Sequence, residues 1–277
     1  MPYLEQIAAA QSGKRLHGIS IKDYITYLKA EGVGDFRLPL GFGHFVCNSL
    51  PRNANIVFST PVTSVELGGD RIQLQTAQGQ VLTRTLILTV STNVLASGTI
   101  SLPPDLVPWC QAAMDLSLGQ NEKVFLQVLK PGVFEDETWV VGDPYTARTG
   151  AYYIQPLGKT VIEGFFGGAV ADWIAASDPA DAYDFAIEEL VSLFGKGIRS
   201  GLQPLAISSW QQNRWIQGSY SCAVPGKGDA RLQLVKPFDD RIFFAGEATH
   251  SSDFSTAHGA YETGVSAAQQ VIRVLTR

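Results

Sequence analysis

The chain has 277 residues, of which 45% are hydrophobic and 17% charged, a composition typical of a globular protein of one or two domains. The formal net charge of −5 provides no basic surface for nucleic acid and weakly favours cationic substrates. No apolar run reaches the roughly 18 residues of a membrane span, and the first residues lack the pattern of a secretory signal. We therefore expect a cytoplasmic protein that binds neither nucleic acid nor membrane. The 3 cysteines and 4 histidines show no metal-ligand spacing, so no metal site is predicted.

The first 31 residues have a helical pattern. Ser20 is placed to cap a helix over residues 21–30, and Gly32 and Gly34 would end that helix. We interpret residues 1–35 as an N-terminal helical segment.

Residues 56–90 change to a strand pattern. Apolar and polar side chains alternate strictly over residues 71–76, as they do in a half-exposed strand. Short runs of this kind joined by glycine turns predict an antiparallel meander. Residues 81–90 are expected to continue it, and their apolar second half, 86–90, is typical of a strand buried on both faces.

Two further strands are predicted in the middle of the chain, over residues 123–129 and 160–166. A helix follows them. Asp178 occupies its N-cap position, Pro179 its first turn, and Gly195 its end.

The last segment predicts a strand over residues 240–246 that ends in glycine, then a polar loop and a helix from about 257 to 275. A glycine at a strand end lets another molecule approach the backbone closely. The start of a helix offers unpaired N–H groups and a positive dipole end, which suits the negative edge of a reduced flavin. The pattern alone does not select a flavin, since many α/β folds contain it.

Particular words in the sequence are more specific than this pattern. IFFAGEATH at 242–250 and FSTAHGAYETG at 254–264 closely resemble the C-terminal signature of flavin amine oxidases. They are most similar to the spermine and acetylpolyamine oxidase branch, which also resembles the flavin-type histone lysine demethylases. Further similar stretches follow the order of the family: GFG at 41–43, PVTSV at 61–65, TVSTNVL at 89–95 and WQQNRWIQGSYS at 210–221. The resemblance runs from about residue 38 to 277 and is weak over 130–205.

The resemblance implies an α+β fold with FAD as the cofactor. Residues 36–100 and 206–277 would form an incomplete FAD-binding domain with a β-meander, and residues 101–205 a mixed-sheet substrate domain. The implied reaction is oxidation of the C–N bond of a small-molecule amine to an imine. Oxygen or another electron acceptor would then reoxidise the flavin.

Three catalytic residues follow from the resemblance. Lys123 occupies the position of the family lysine that holds a water against flavin N5; the alternative is a lysine on an exposed strand. Tyr220 is similar to one wall of the family's aromatic cage; the alternative is a packing tyrosine. Thr256 occupies the place of the opposite wall, which would leave room for bulkier or secondary amines.

The resemblance also implies cofactor-binding residues. Val62 lies in the strand whose backbone meets the adenine, and the backbone at Thr256 and Ala257 would donate to the flavin ring. Glu247 is similar to the acidic residue at the ribityl–phosphate region; the alternative is a solvated loop carboxylate. Two small residues that permit close approach complete the set: Gly246 and Ala260.

The G-x-G-x-x-G fingerprint that holds the FAD pyrophosphate, with its strand and helix, is not found in the sequence. A separate subunit carrying the N-terminal dinucleotide-binding half, proteolytic processing, and a non-binding relic all remain open. Met1 and the helical start favour the separate subunit, so we expect a hetero-oligomer.

Two other functions remain open. A flavin-dependent amino acid oxidase or desaturase would keep the cofactor; the amino acid case needs a basic anchor for a carboxylate, and Arg148, Arg199 and Arg214 lie in no diagnostic word. A non-catalytic scaffold subunit would have no reason to keep Lys123, Tyr220 and Glu247 together.

Overall fold

The computed structural model describes residues 2–30, 32, 34, 36–130 and 132–277. Positions 1, 31, 33 and 35 of the predicted N-terminal segment lie outside the described residues. The α-helices of the described residues are α1 (Pro2–Ser12), α2 (Ile21–Ala30), α3 (Phe42–Ser49), α4 (Thr92–Ala96), α5 (Val107–Asp115), α6 (Ala169–Ala176), α7 (Pro179–Phe194), α8 (Ala230–Leu234) and α9 (Ala257–Leu275).

The strands of the described residues form three sheets. In chain order they are β1 (Val62–Gly68), β2 (Arg71–Thr76), β3 (Gly79–Thr83), β4 (Leu86–Leu88), β5 (Asn121–Val128), β6 (Thr138–Val141), β7 (Ala151–Ile154), β8 (Val161–Gly167), β9 (Leu202–Ile207) and β10 (Ile242–Phe244). This mixture of antiparallel sheets and helices confirms the predicted α+β class.

The predicted meander is confirmed as the antiparallel sheet β1-β2-β3. The prediction that one strand continues from residue 81 to 90 is wrong. The chain leaves the meander after β3, and β4 pairs in parallel with β10 instead, with Leu86 opposite Ile242 and Leu88 opposite Phe244. The uniformly apolar sequence of β4 fits this second, more buried environment.

A five-stranded antiparallel sheet has the order β6-β7-β8-β5-β9. One face packs on α6 and α7 through a core that includes Val124, Tyr152, Ile162 and Leu190. The strands predicted over 123–129 and 160–166 are confirmed as β5 and β8. The other face of this sheet carries Lys123.

A second core joins the meander, β4, β10 and helices α4, α5 and α8. Trp109 of α5 stacks on Phe244 of β10, with ring centroids 5.7 Å apart, and its Nε1 donates to the Lys236 carbonyl at 2.8 Å. Helix α5 falls inside the range 101–205 yet packs in this core. The domain boundaries stay a prediction.

The predicted start signals of two helices are confirmed, as are the bounds of a third. Ser20 accepts the amide of Asp23 at the start of α2, and Asp178 accepts the amide of Ala180 at the start of α7. Helix α9 has the predicted bounds.

Candidate flavin and amine site

The loop Gly218–Ser221 is fixed against the strand-like segment before β5. Gly119 donates to the Tyr220 carbonyl at 2.8 Å, and Ser219 donates to the Gly119 carbonyl at 2.9 Å. A β-carbon at Gly218 would lie 2.7 Å from Leu118, and the φ of Gly218 is 150°, so this close approach needs glycine. The backbone that carries Tyr220 therefore has one well-defined position.

The Tyr220 hydroxyl donates to the carbonyl of Ala10 in α1 at 2.5 Å. Burial raises the pKa of this phenol well above its ordinary value. Tyr220 is therefore a neutral hydrogen-bond donor at physiological pH, and its ring is tethered at the hydroxyl end.

Glu247 joins the two loops that carry the predicted site residues. One carboxylate oxygen accepts the Ser221 amide at 2.9 Å, and the other accepts the Ser221 hydroxyl at 2.7 Å and the Ser255 amide at 2.7 Å. The sequence interpretation placed Glu247 at the ribityl–phosphate region. In the structure its carboxylate binds the residue after Tyr220 and the residue before Thr256.

A buried ion pair that the sequence did not reveal lies behind this junction. Arg231 donates to Asp23 through Nε at 3.1 Å and Nη2 at 3.0 Å, and each side chain is 4% exposed. Its Nη1 donates to the Ser221 hydroxyl oxygen at 2.7 Å, and the guanidinium lies 3.6 Å from the centre of the Phe254 ring. Asp23 and Arg231 lie 208 residues apart, so no local sequence signal could have paired them.

The start of α9 has donors available for a ligand. Thr256 caps the helix, since its hydroxyl oxygen accepts the Gly259 amide at 3.0 Å while its O–H donates to the Asp253 carbonyl at 2.6 Å. Within the described part of the chain, the amides of Ala257 and His258 have no acceptor, and both residues are exposed. These amides and the positive end of the helix suit an electron-rich ring edge.

Gly246 follows β10 with a φ of 134°, and a β-carbon there would meet no atom within 4 Å. Its amide donates to the Thr263 hydroxyl oxygen of α9 at 3.0 Å, which fixes the strand end on the helix. Open space beside a glycine-only backbone, together with the free amides of α9, fits a planar cofactor. Ala260 lies in the same helix, half-buried. Val62 is the first residue of β1 in the three-stranded meander, next to a bulge in that strand.

Lys123 projects from the open face of the five-stranded sheet and is 39% exposed. Its ammonium contacts one carboxylate oxygen of Glu163 on β8, while Arg37 binds the other oxygen at 2.9 Å. Burial alone would raise the pKa of Glu163, but the hydrogen bonds and charges of Lys123 and Arg37 outweigh it and lower the pKa below its ordinary value. Sequence reasoning missed Glu163 and Arg37.

The structure brings some predicted residues together directly and others through a bridge. Glu247 connects the loops of Tyr220 and Thr256, as described above. Lys123 has no direct hydrogen bond to them within the described residues. Its strand is linked to the Tyr220 loop by Asn121, whose side-chain oxygen accepts the Ser219 hydroxyl at 2.9 Å. Asn121 precedes Lys123 by two residues and therefore lies on the same side of β5.

Three side chains after β10 could together bind a metal ion: His250, Asp253 and Glu262. One possible ligand atom from each of them lies within 4.8 Å of those of the other two. The Nδ1 atom of His250 accepts the amides of Asp253 at 2.8 Å and Ser252 at 3.3 Å, while Nε2 lies 3.0 Å from Glu262. In the neutral ring this pattern puts the proton on Nε2. These contacts fold the loop that leads into α9.

The three arginines considered as carboxylate anchors have other neighbours. Arg148 lies 4.5 Å from the Trp173 ring centre, Arg199 pairs with Glu188, and Arg214 lies over the neighbouring Trp215. None of these contacts involves Lys123, Tyr220 or Glu247.

Comparison with known proteins identifies the family. A sequence profile described as flavin containing amine oxidoreductase matches residues 46–272, most of the chain, so the chain belongs to this family. The cofactor that this membership implies is FAD, and the chemistry of the family is amine oxidation. The recognition of a flavin amine oxidase from its sequence words is thereby confirmed.

Individual relatives with similar sequences include a polyamine oxidase and a histone demethylase. The chain is 31% identical over 241 residues to polyamine oxidase 2 of Arabidopsis thaliana, covering 84% of this chain and 48% of that protein. It is 26% identical over 275 residues to human lysine-specific histone demethylase 2, covering 94% of this chain and 33% of that protein. The chain thus spans about half the length, or less, of these curated relatives.

Two solved structures share the fold. Cyclohexylamine oxidase from Brevibacterium oxydans IH-35A superposes with a TM-score of 0.77 at 19% identity, over 100% of this chain and 64% of that chain. A redesigned putrescine oxidase superposes with a TM-score of 0.79 at 18% identity, over 98% of this chain and 64% of that chain. No helix among the described residues is long and apolar enough to cross a membrane.

Proposed function

We propose that this chain supplies the amine-facing and flavin-ring-facing part of an FAD-dependent amine oxidase, and that a separate subunit supplies the dinucleotide-binding half. One observation carries the proposal. Glu247 binds Ser221 and Ser255 and so joins the Tyr220 loop to the start of α9, while Asn121 links the same loop to the strand of Lys123.

When bound, the flavin supplies the acceptor for the two electrons that leave the carbon next to the amine nitrogen. The chain's own residues act around that step. The amides of Ala257 and His258 would donate to the electron-rich edge of a bound ring, and the dipole of α9 would add to their effect. Gly246 leaves the space that the cofactor needs.

Tyr220 and Lys123 act on the substrate side. The ring of Tyr220, held by its bond to Ala10, orients the amine and keeps water away from it. The ammonium of Lys123 holds a water near the reacting centre, where it can supply or accept a proton. Thr256 leaves the wall opposite Tyr220 open, which suits secondary or bulky amines.

The relative named polyamine oxidase 2 makes polyamines the first amines to test. The neighbours of Arg148, Arg199 and Arg214 give no support to a carboxylate anchor of the kind an amino acid oxidase uses.

The exposure of helix α3 supports the proposal that a second subunit covers this part of the chain. None of its residues is buried, and the whole stretch 41–59 is exposed. An isolated helix of 8 residues is not stable in water without tertiary contacts. Large exposed apolar patches mark interaction surfaces. The exposed apolar side chains of α3 and of the segment after it are Phe42, Phe45, Val46, Leu50, Ile56, Val57 and Phe58. A dinucleotide-binding subunit is the occupant we propose for this surface.

The visible absorption spectrum tests the proposal. We expect a flavin spectrum when the chain is co-expressed with its genomic neighbour and none when it is purified alone. A flavin retained by the chain alone, or absent from both samples, would contradict the two-part design. Native protein that runs as one polypeptide well above 30.0 kDa would overturn the separate subunit and leave the amine oxidase intact.

A further inference from the structure

A carboxylate that no sequence word marks lies beside Lys123. In the β5–β8 register Glu163 is opposite Phe125 and therefore diagonal to Lys123. The long side chain of Lys123 can span this diagonal distance. The two side chains form an ion pair on the open face of the sheet, and the Glu163 side chain is only 13% exposed.

The second oxygen of Glu163 is held independently. Arg37 donates to it at 2.9 Å, and the guanidinium lies 4.0 Å from the centre of the Tyr153 ring. One oxygen thus faces Arg37 and the other faces Lys123. The carboxylate cannot rotate away from Lys123 without losing the contact with Arg37.

We propose that Glu163 is the positioning residue of Lys123: it holds the ammonium at one place on the sheet face, while Arg37 fixes the carboxylate. The positioning role rests on the proposed function, in which Lys123 faces the flavin. The contact between Lys123 and Glu163 is observed independently of that function. A free lysine has four rotatable bonds and would sample many positions. Because the Lys123 side chain is 39% exposed, the pair adds little stability, and its main effect is on the position of Lys123.

Among the residues that the structure describes, few groups face Lys123. Glu163 and the Phe165 ring lie on β8, with the ring centre 5.9 Å from the ammonium, and Arg37 reaches in from the segment before α3. The Lys123 backbone is bound to Ser208 beyond β9. Two cations therefore share one carboxylate, and removing that carboxylate leaves both unpaired.

Competitive acetylation read by mass spectrometry tests the contact, because only an uncharged amine reacts. Lys130 is exposed on the same chain and serves as the internal reference. In the flavin-loaded protein, Glu163→Gln should raise the labelling of Lys123 relative to Lys130 by about three- to tenfold, since the amine is no longer held in the ion pair. Glu163→Asp should give a smaller rise.

Two controls sharpen the result. Glu188→Gln removes a carboxylate of the same kind, paired with Arg199 on the surface, and should leave Lys123 labelling unchanged. Arg37→Gln should raise Lys123 labelling, but by less than Glu163→Gln does, since the carboxylate remains and only its second anchor is lost. Equal labelling of Lys123 in the wild type and in both Glu163 variants would overturn the contact.

The rate of flavin reoxidation by oxygen tests the role. Glu163→Gln should slow reoxidation, and Glu163→Asp should restore part of the rate, because the shorter carboxylate still holds the ammonium in place. Faster labelling with an unchanged reoxidation rate in Glu163→Gln would overturn the positioning role. A protein that binds flavin but oxidises no amine would instead contradict the proposed function, whatever the labelling shows.

Discussion

Glu247 accepts both the backbone amide of Ser221, at 2.9 Å, and its hydroxyl, at 2.7 Å, through separate carboxylate oxygens. A carboxylate with this many protein donors is part of the loop architecture and not merely solvated. Any cofactor contact that it makes adds to this structural role.

Glu247→Ala should therefore weaken both folding and FAD retention. The amides of Ser221 and Ser255 lose their acceptor, which costs about 1–3 kcal/mol in the free energy of unfolding. Flavin per protein after gel filtration and a urea unfolding curve measure the two effects. Glu66→Ala, on the exposed side of β1, is the control. Normal flavin occupancy in Glu247→Ala would confine the residue to the loop.

The variants Tyr220→Phe and Tyr220→Ala separate the contribution of the hydroxyl to turnover from that of the ring. The phenylalanine variant loses only the bond to Ala10, so we expect turnover within about threefold of wild type, whereas the alanine variant should lose at least about tenfold in kcat/KM. Amine turnover by the flavin-loaded protein measures both. Tyr145→Ala, at an 86% exposed position, should have no effect. Full activity in Tyr220→Ala would make Tyr220 a packing residue.

Lys123→Met should slow reoxidation of the reduced flavin by oxygen, because the group that holds the water is gone. Stopped-flow absorbance after anaerobic reduction follows the step directly. Lys130→Met, an exposed lysine on the same segment, is the matched control. An unchanged rate in Lys123→Met would remove this residue from the mechanism.

Asp23→Asn should destabilise the fold strongly, since it leaves the Arg231 guanidinium buried without its counter-ion. The expected cost is about 3–5 kcal/mol in the free energy of unfolding. Asp229→Asn removes the same type of partner from the exposed Lys22 pair and should cost under about 1 kcal/mol. Similar costs for the two variants would show that burial does not set the strength of the Asp23–Arg231 pair.

Glu189, on helix α7, makes the stability of the fold depend on pH. Burial raises the pKa of this carboxyl above its ordinary 4.5, against the opposing hydrogen bonds from Thr149, Tyr152 and the Gly150 amide. A raised folded pKa means that its stabilising contribution is complete below about pH 4.5 and is lost as the pH rises through the folded value. Unfolding curves at several pH values should show the advantage of wild type over Glu189→Gln shrink as pH rises. A constant difference would contradict this sign.

The elements that sequence could predict have local signals. Helix α9 starts at a Thr256 cap and α7 at an Asp178 cap, and both lie where the pattern placed them. Strands β6, β7 and β9 were not predicted, because each is 4 to 6 residues long and is defined by neighbours far along the chain.

The residues of the candidate site also divide into those with a local sequence signal and those without one. The sequence words located Lys123, Tyr220 and Glu247, whose roles stay predictions. They could not locate Glu163, Arg37 or the Asp23–Arg231 pair, because those contacts depend on sheet register and on packing between distant segments.

The parallel pair of β4 and β10 has a consequence for how the chain acquires its structure. Leu86 and Ile242 are neighbours in space but are synthesised 156 residues apart (242 − 86). Contacts between such distant segments form slowly, because a long loop must close first. The five-stranded sheet, enclosed between them in sequence, can collapse earlier. We therefore expect the core that contains β4 and β10 to assemble after the five-stranded sheet, once β10 has been synthesised.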